Sequence, residues 1–260
     1  MKKYHTLAGS GIHNKSVKND LLALLYPPRC VCCDRILGVR EGGCCSECAA
    51  RLPWISGPSC MKCGKPVETQ EQEYCEDCRR YPHEFDRGAA AFTYTGMMRR
   101  SVYRMKHENR RDYLSFYAEA MVHALAGELM RWRPEVIIPV PMHPRKRRRR
   151  GYNQSELLAE HISRLTGIPM RKDLLRCVKL TSSQKLLDRK ARMQNLKGSI
   201  EASENFPKLR SVLLVDDVYT TGSTMDEMAG VLKRAGAEHV FFVVLCSGKG
   251  KKAVCTAENL

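Results

Sequence analysis

Two stretches of this chain, "CVCCDRILGVREGGCCSEC" (30–48) and "CMKCGKPVETQEQEYCEDC" (60–78), carry one cysteine spacing: C-x2-C, eleven residues, C-x2-C. The offset is 30 residues throughout, so Cys30 maps to Cys60, Cys33 to Cys63, Cys45 to Cys75 and Cys48 to Cys78. A duplicated unit constrains architecture more than any single segment does. It also settles the ligand register. Cys32 and Cys44 map to Lys62 and Tyr74, which makes them spectators. Two cysteines separated by two residues at a tight turn aim both thiolates at one ion, and two such turns complete a tetrahedral S4 shell. Zinc(II) is the expected metal, with iron a weaker match to the same ligands. A shell closed by four thiolates leaves no open position, so the expected role is structural. Sequential sites are favoured because each repeat is self-contained; interleaved pairing of the turns stays open.

Ten of the 13 cysteines fall between Cys30 and Cys78. The apolar patch Leu21 to Tyr26 is too short for a signal-peptide core and has no small-residue cleavage site behind it. No stretch approaches the roughly 18 apolar residues of a membrane helix. The expectation is therefore a cytoplasmic protein without membrane insertion, in which paired cysteines bind metal rather than form disulfides. Charge divides unevenly. Residues 1–85 hold 12 Lys/Arg against 10 Asp/Glu, and residues 86–260 hold 32 against 18. So basic a second part meets phosphates, on a nucleic acid or on a small anion.

Beyond the Pro-containing link "RRYPHEFDRG" (79–88), strands and helices alternate. Strands are expected at 89–94, 135–141, 211–218 and 239–246, and helices at 97–107, 114–132, 155–167 and 225–236. Ser155 is the expected N-cap and Gly167 the stop of the third helix. This order argues for an α/β fold, a parallel sheet flanked by helices. Three parts are expected: an N-terminal segment with a short helix at 1–28, the Cys-rich metal module at 29–80 and the α/β domain at 86–250.

The most informative segment is "SVLLVDDVYTTGSTM" (211–225). A strand delivers Asp216 and Asp217 to its C-terminal end. Thr220, Thr221, Gly222, Ser223 and Thr224 then form a small-residue loop that opens a helix. Amides and hydroxyls at a helix N-terminus cradle phosphate, and paired carboxylates suit the vicinal hydroxyls of a ribose. The two together imply a ribose 5-phosphate ligand.

"VLLVDDVYTTGST" resembles the 5-phosphoribosyl-1-pyrophosphate (PRPP) motif of type I phosphoribosyltransferases. Together with the cysteine pairs, "PVPMHPRKRRRRGYNQSELLAEHI" (139–162) and "TSSQKLLDRKARMQNLKGSI" (181–200), it resembles the ComF family, which is associated with competence and DNA uptake and described as amidophosphoribosyltransferase-like. The resemblance covers roughly residues 21–247. It implies a double zinc ribbon before a phosphoribosyltransferase type I fold, with two structural zinc sites and magnesium accompanying PRPP. By that resemblance Asp216 and Asp217 contact the ribose and stabilise an oxocarbenium-like anomeric carbon, and Thr220 to Thr224 hold the 5-phosphate. Arg145 and part of the basic run after it fall at the loop that receives pyrophosphate and are candidates to neutralise that leaving group. Lys190 or Arg192 would be brought onto pyrophosphate by a closing loop, whose pattern Gln184 and Asn195 also match. Lys106 matches a family segment in which His107 replaces tyrosine. His143, His161 and His239 are expected to be structural or surface histidines rather than catalysts.

Two functions follow. One is an enzyme that binds Mg-PRPP and transfers the phosphoribosyl group to or from a nitrogen nucleophile. The other is a non-catalytic module that binds single-stranded DNA or an uptake helicase, motivated by the basic run 145–150. Tyr152 is the only aromatic near that run, too few for a base-stacking platform.

Overall fold

The apolar runs expected as strands become one parallel sheet in the computed structural model, which describes residues 27–38, 41–180 and 194–248. The ribbon segment contributes two short helices, α1 (Ser46–Ala49) and α2 (Glu76–Arg80). Then come β1 (Arg87–Thr93), α3 (Gly96–His107), α4 (Tyr113–Ala124), α5 (Ala126–Trp132) and β2 (Val136–Pro139). The remainder is α6 (Pro144–Arg150), α7 (Gln154–Thr166), β3 (Leu175–Cys177), β4 (Ile200–Ala202), β5 (Leu209–Tyr219), α8 (Ser223–Ala235) and β6 (Ala237–Ser247). The expected N-terminal helix within 1–28 lies outside the described residues.

The sheet order is β1-β6-β5-β2, with every pairing parallel. Strands buried on both faces read as unbroken apolar runs because each side chain, up or down, meets a helix. Leu213, Val215, Val243 and Leu245 enter the core shared with α3, α4 and α7, whereas Val212, Leu214, Phe242 and Val244 enter the core shared with α8. A separate antiparallel pair, β3 with β4, was not expected. The helix expected at 114–132 divides at Leu125, whose φ of −111° and ψ of 16° lie outside helical values. Among the described residues no helix is long and apolar enough to cross a membrane.

The eight ligand thiolates group sequentially, as Cys30, Cys33, Cys45, Cys48 and as Cys60, Cys63, Cys75, Cys78, with all sulfurs of a group within 4.8 Å. Sulfur separations of 3.7 Å for Cys30 to Cys45 and 3.6 Å for Cys63 to Cys75 match the edge of about 3.8 Å of a tetrahedron with Zn–S near 2.3 Å. The donor set therefore fits two structural zinc sites.

The ribbons are built into the sheet. Cys30, Cys45 and Cys48 belong to the core of one sheet face, and Cys60, Cys63 and Cys75 to the core of the other. The chain between them runs along β1: Thr93 N donates to Pro53 O (2.8 Å), Ile55 N to Ala91 O (3.0 Å) and Gly88 N to Lys62 O (2.9 Å). Trp54 bridges Phe92 antiparallel, their rings 4.3 Å apart. An edge strand with unpaired backbone groups invites aggregation; here the inter-ribbon segment covers it.

Candidate functional site

The C-terminal end of β5 opens onto a cavity of about 470 Å³ lined by Asp216, Asp217, Thr220 and Thr224, with Lys106 and Ser155 beside them. Asp217 is buried and pairs with the Lys106 ammonium from the last turn of α3. Asp216 accepts a 2.6 Å hydrogen bond from Ser155 Oγ on α7. Burial, and then the charge of Asp217, push the Asp216 carboxyl up to about 7, while the Ser155 hydroxyl and Lys106 oppose the rise. Burial lowers the Lys106 pKa, but Asp217 more than offsets this and holds the group above its ordinary value. Two carboxylates thus share one fixed cation.

Asn153, not Ser155, is the N-cap of α7: its side chain accepts from Ser155 N (3.2 Å) and donates to Val140 O (2.9 Å). The capping duty passes back two residues, which frees the Ser155 hydroxyl for Asp216. Lys106 is placed just as firmly. Tyr152 Oη donates to Met105 O, Arg104 to Cys32 O and Ser101 Oγ to Val31 O. The helix that carries the lysine is therefore clamped to the first ribbon.

The loop after β5 turns at Gly222, with φ 85°, and α8 begins at Ser223. A Cβ at Gly222 would lie 2.7 Å from Tyr219 Oη and 2.9 Å from His83 Cε1. His83 comes from the link after the second ribbon, is buried, and places Nδ1 2.9 Å from both carboxylate oxygens of Asp226. Tyr219 stacks on Phe242 at 4.9 Å, and the Lys65 ammonium of the second ribbon sits 5.3 Å from its ring centroid. Thr221 and Ser223 hydroxyls lie 3.1 Å apart. The loop is thus floored by aromatic and ribbon residues, and its hydroxyls and helix-terminal amides are groups of the kind that can hold an anion.

The basic run forms a helix where a loop was expected. Pro144 occupies the first turn, His143 Nδ1 accepts from Arg145 N (3.2 Å), and Gly151 ends α6 at φ 85°. Helical spacing then decides which cations face the cavity. Lys146 and Arg150, four residues apart, line it together with His143. Arg145 is exposed and is not among the lining residues. Arg150 donates to Gln154 Oε1 (2.5 Å), and Arg147 pairs with Glu156 (3.1 Å). Tyr152 is buried, with Arg111 4.6 Å from its ring centroid, so it offers no face to a base.

Cys177, Leu196, Ser199 and Ile200 also line the cavity. Lys190, Arg192 and Gln184 lie outside the described residues; Asn195 is described but is not a lining residue. Sequence reading offered part of the basic run after Arg145 without singling out Lys146 and Arg150, and it missed Ser155 as a carboxylate partner and His83. Helical spacing from Pro144 was the available signal for the first two. None existed for His83, 143 residues from Asp226 in the chain.

Residues 21–79 match the double zinc ribbon domain family and residues 158–257 the phosphoribosyl transferase domain family. The chain is 34% identical over 223 residues to Competence protein F of Haemophilus influenzae, covering 82% of this chain and 93% of that protein. It is 30% identical to DNA utilization protein YhgH of Escherichia coli K12, over 86% of this chain and 98% of that one. Competence protein ComFC of Bacillus subtilis is 23% identical over 74% and 78%. Among solved structures, the purine phosphoribosyltransferase of Pyrococcus horikoshii aligns with 54% of this chain and 79% of its own, at 21% identity and a TM-score of 0.35. With cysteine groups, parallel sheet and relatives in agreement, the chain belongs to the ComF family, the competence-associated proteins that join a double zinc ribbon to a phosphoribosyltransferase domain.

Proposed function

We propose that the cavity binds PRPP and transfers its phosphoribosyl group to a nitrogen nucleophile. The observation that carries this reading is the set of groups that share one cavity. Thr220 and Thr224 of the loop and helix start, the carboxylates Asp216 and Asp217, and the cations Lys146 and Arg150 all line it. A 5-phosphate at Thr220 to Thr224, ribose hydroxyls at the carboxylates and pyrophosphate at the two cations would use every one of them. Asp216 and Asp217 would stabilise positive charge developing at the anomeric carbon, and Lys106 sets how much of their negative charge is expressed. Adjacent carboxylate oxygens suit magnesium; Asp216 with Asp217 would hold it, and it would neutralise charge on the departing pyrophosphate. Lys190 and Arg192 keep their proposed pyrophosphate role. A cytoplasmic setting and a division at 29–80 and 86–250 belong to the same proposal.

Calorimetric titration of PRPP with magnesium tests it. Wild type should bind, and Asp216→Ala with Asp217→Ala should not. No wild-type binding, or binding unaffected by the double change, removes the reading. A second reading, contact with single-stranded DNA, is favoured by the outward arginines of α6, Arg145, Arg148 and Arg149, all exposed. Affinity for DNA should then fall steeply with salt, and its absence at low salt excludes direct contact.

A further inference from the structure

The two ribbons repeat each other down to single hydrogen bonds. Cys30 N donates to Arg35 O and Cys60 N to Lys65 O, both 2.8 Å; Val31 N donates to Gly43 O (2.9 Å) and Met61 N to Glu73 O (2.8 Å). Asp34 and Gly64 share positive φ, 66° and 70°. Yet the copies dock through different faces. The first buries its knuckle tip, Val31 at 1% exposure and Cys44 at 8%, against α3 and α4, where Arg104 meets Cys32 O and Arg110 meets Asp34 at 3.0 Å. The second turns its other side inward. Lys65 is buried on Asp77 (2.6 Å) and against Tyr219, while Gly64 packs against the backbone of Gly88 and Ala89.

The consequence falls on the tip of the second ribbon. Met61 and Tyr74, the equivalents of Val31 and Cys44, are 51% and 41% exposed. Around them the stretch 66–74 holds Glu68, Glu71 and Glu73, all exposed, and no Lys or Arg, in a chain of net charge +16. In the first copy Glu41 pairs with Arg35 at 2.6 Å. In the second, the equivalent cation Lys65 is committed to Asp77 instead of Glu71. An exposed apolar pair rimmed by one sign of charge is the anatomy of a recognition patch.

We propose that the Met61–Tyr74 face docks an arginine-bearing amphipathic helix of another protein, as the matching face of the first ribbon docks α3 and α4. The apolar stripe of the helix would cover Met61 and Tyr74, and its guanidinium groups would meet Glu68, Glu71 and Glu73. The inference does not depend on PRPP binding.

The test places the photo-crosslinker benzoylphenylalanine at Tyr74 of the full chain in cells, with a second probe at Met130 as a control surface. The expected result is an adduct from Tyr74, absent at Met130, whose cross-linked peptide is a basic amphipathic helix of a different protein. Charge reversal at Glu68, Glu71 and Glu73 to Lys should cut that adduct by at least roughly tenfold, with zinc content kept at two per chain. The proposal is overturned by an adduct to a second copy, to nucleic acid, or to residues 1–26 or 249–260 of the same chain. No adduct at all, or one indifferent to charge reversal, overturns it equally.

Discussion

Replacing Lys106 by Met tests the electrostatics of the cavity without touching its shape. The lysine side chain is 24% exposed and its partner Asp217 4%. Removing one member of a well-buried pair costs about 3–5 kcal/mol; with a quarter-exposed lysine, about 2–3 kcal/mol is expected at about pH 8. The loss must depend on pH. Asp216 carries a folded pKa of about 7 against an ordinary 3.8, so between those values the folded state holds a proton that the unfolded state has lost. That contribution makes stability fall as pH rises through the window. Lys106 restrains it by favouring the ionised carboxyl. Without the ammonium the folded carboxyl pKa climbs further and the fall in stability extends to higher pH, whereas in acid a proton can stand in for the missing cation. Urea unfolding at about pH 5 should therefore show a loss under about 1 kcal/mol, and the loss should grow toward about pH 8. Pairing Lys106→Met with Asp217→Asn should restore most of it, a coupling that a double-mutant cycle measures. A loss below about 0.5 kcal/mol, or one constant with pH, would refute the shared-cation account.

Three further outcomes follow from the geometry. Gly222→Ala should destabilise by about 1–3 kcal/mol in thermal melts, because the backbone is left-handed there and the new methyl meets Tyr219 and His83; a neutral change would mean the loop floor is soft. Pyrophosphate titration should weaken by about tenfold for Arg150→Ala and by less than about twofold for Arg145→Ala, and equal losses would contradict the helical facing of α6. Stripping zinc with a strong chelator should lower the melting midpoint of the whole protein rather than of an N-terminal piece, since the cysteine groups belong to both sheet cores; an unchanged main transition would show that the ribbons are independent.

The contiguous features were readable because their physics is local. Spacing of two residues brings two thiolates to one ion, so the cysteine register needed only the repeat, whereas the choice of sequential over interleaved groups came from the fold. The strand, Asp216-Asp217, loop and helix follow one another without a break, and alternating apolar runs implied the parallel sheet. The basic run carried no apolar residue to mark a helical face, so which cation faced the cavity waited on the helix itself. Tertiary structure alone brought Lys106, Ser155 and His83 to the carboxylates and the loop after β5, because those meetings depend on how α3, α7 and the ribbon link pack. It also decided how two copies of one ribbon would dock. Equal local chemistry builds equal modules, but the sheet offers each a different surface, and only one of them is left with its tip in solvent.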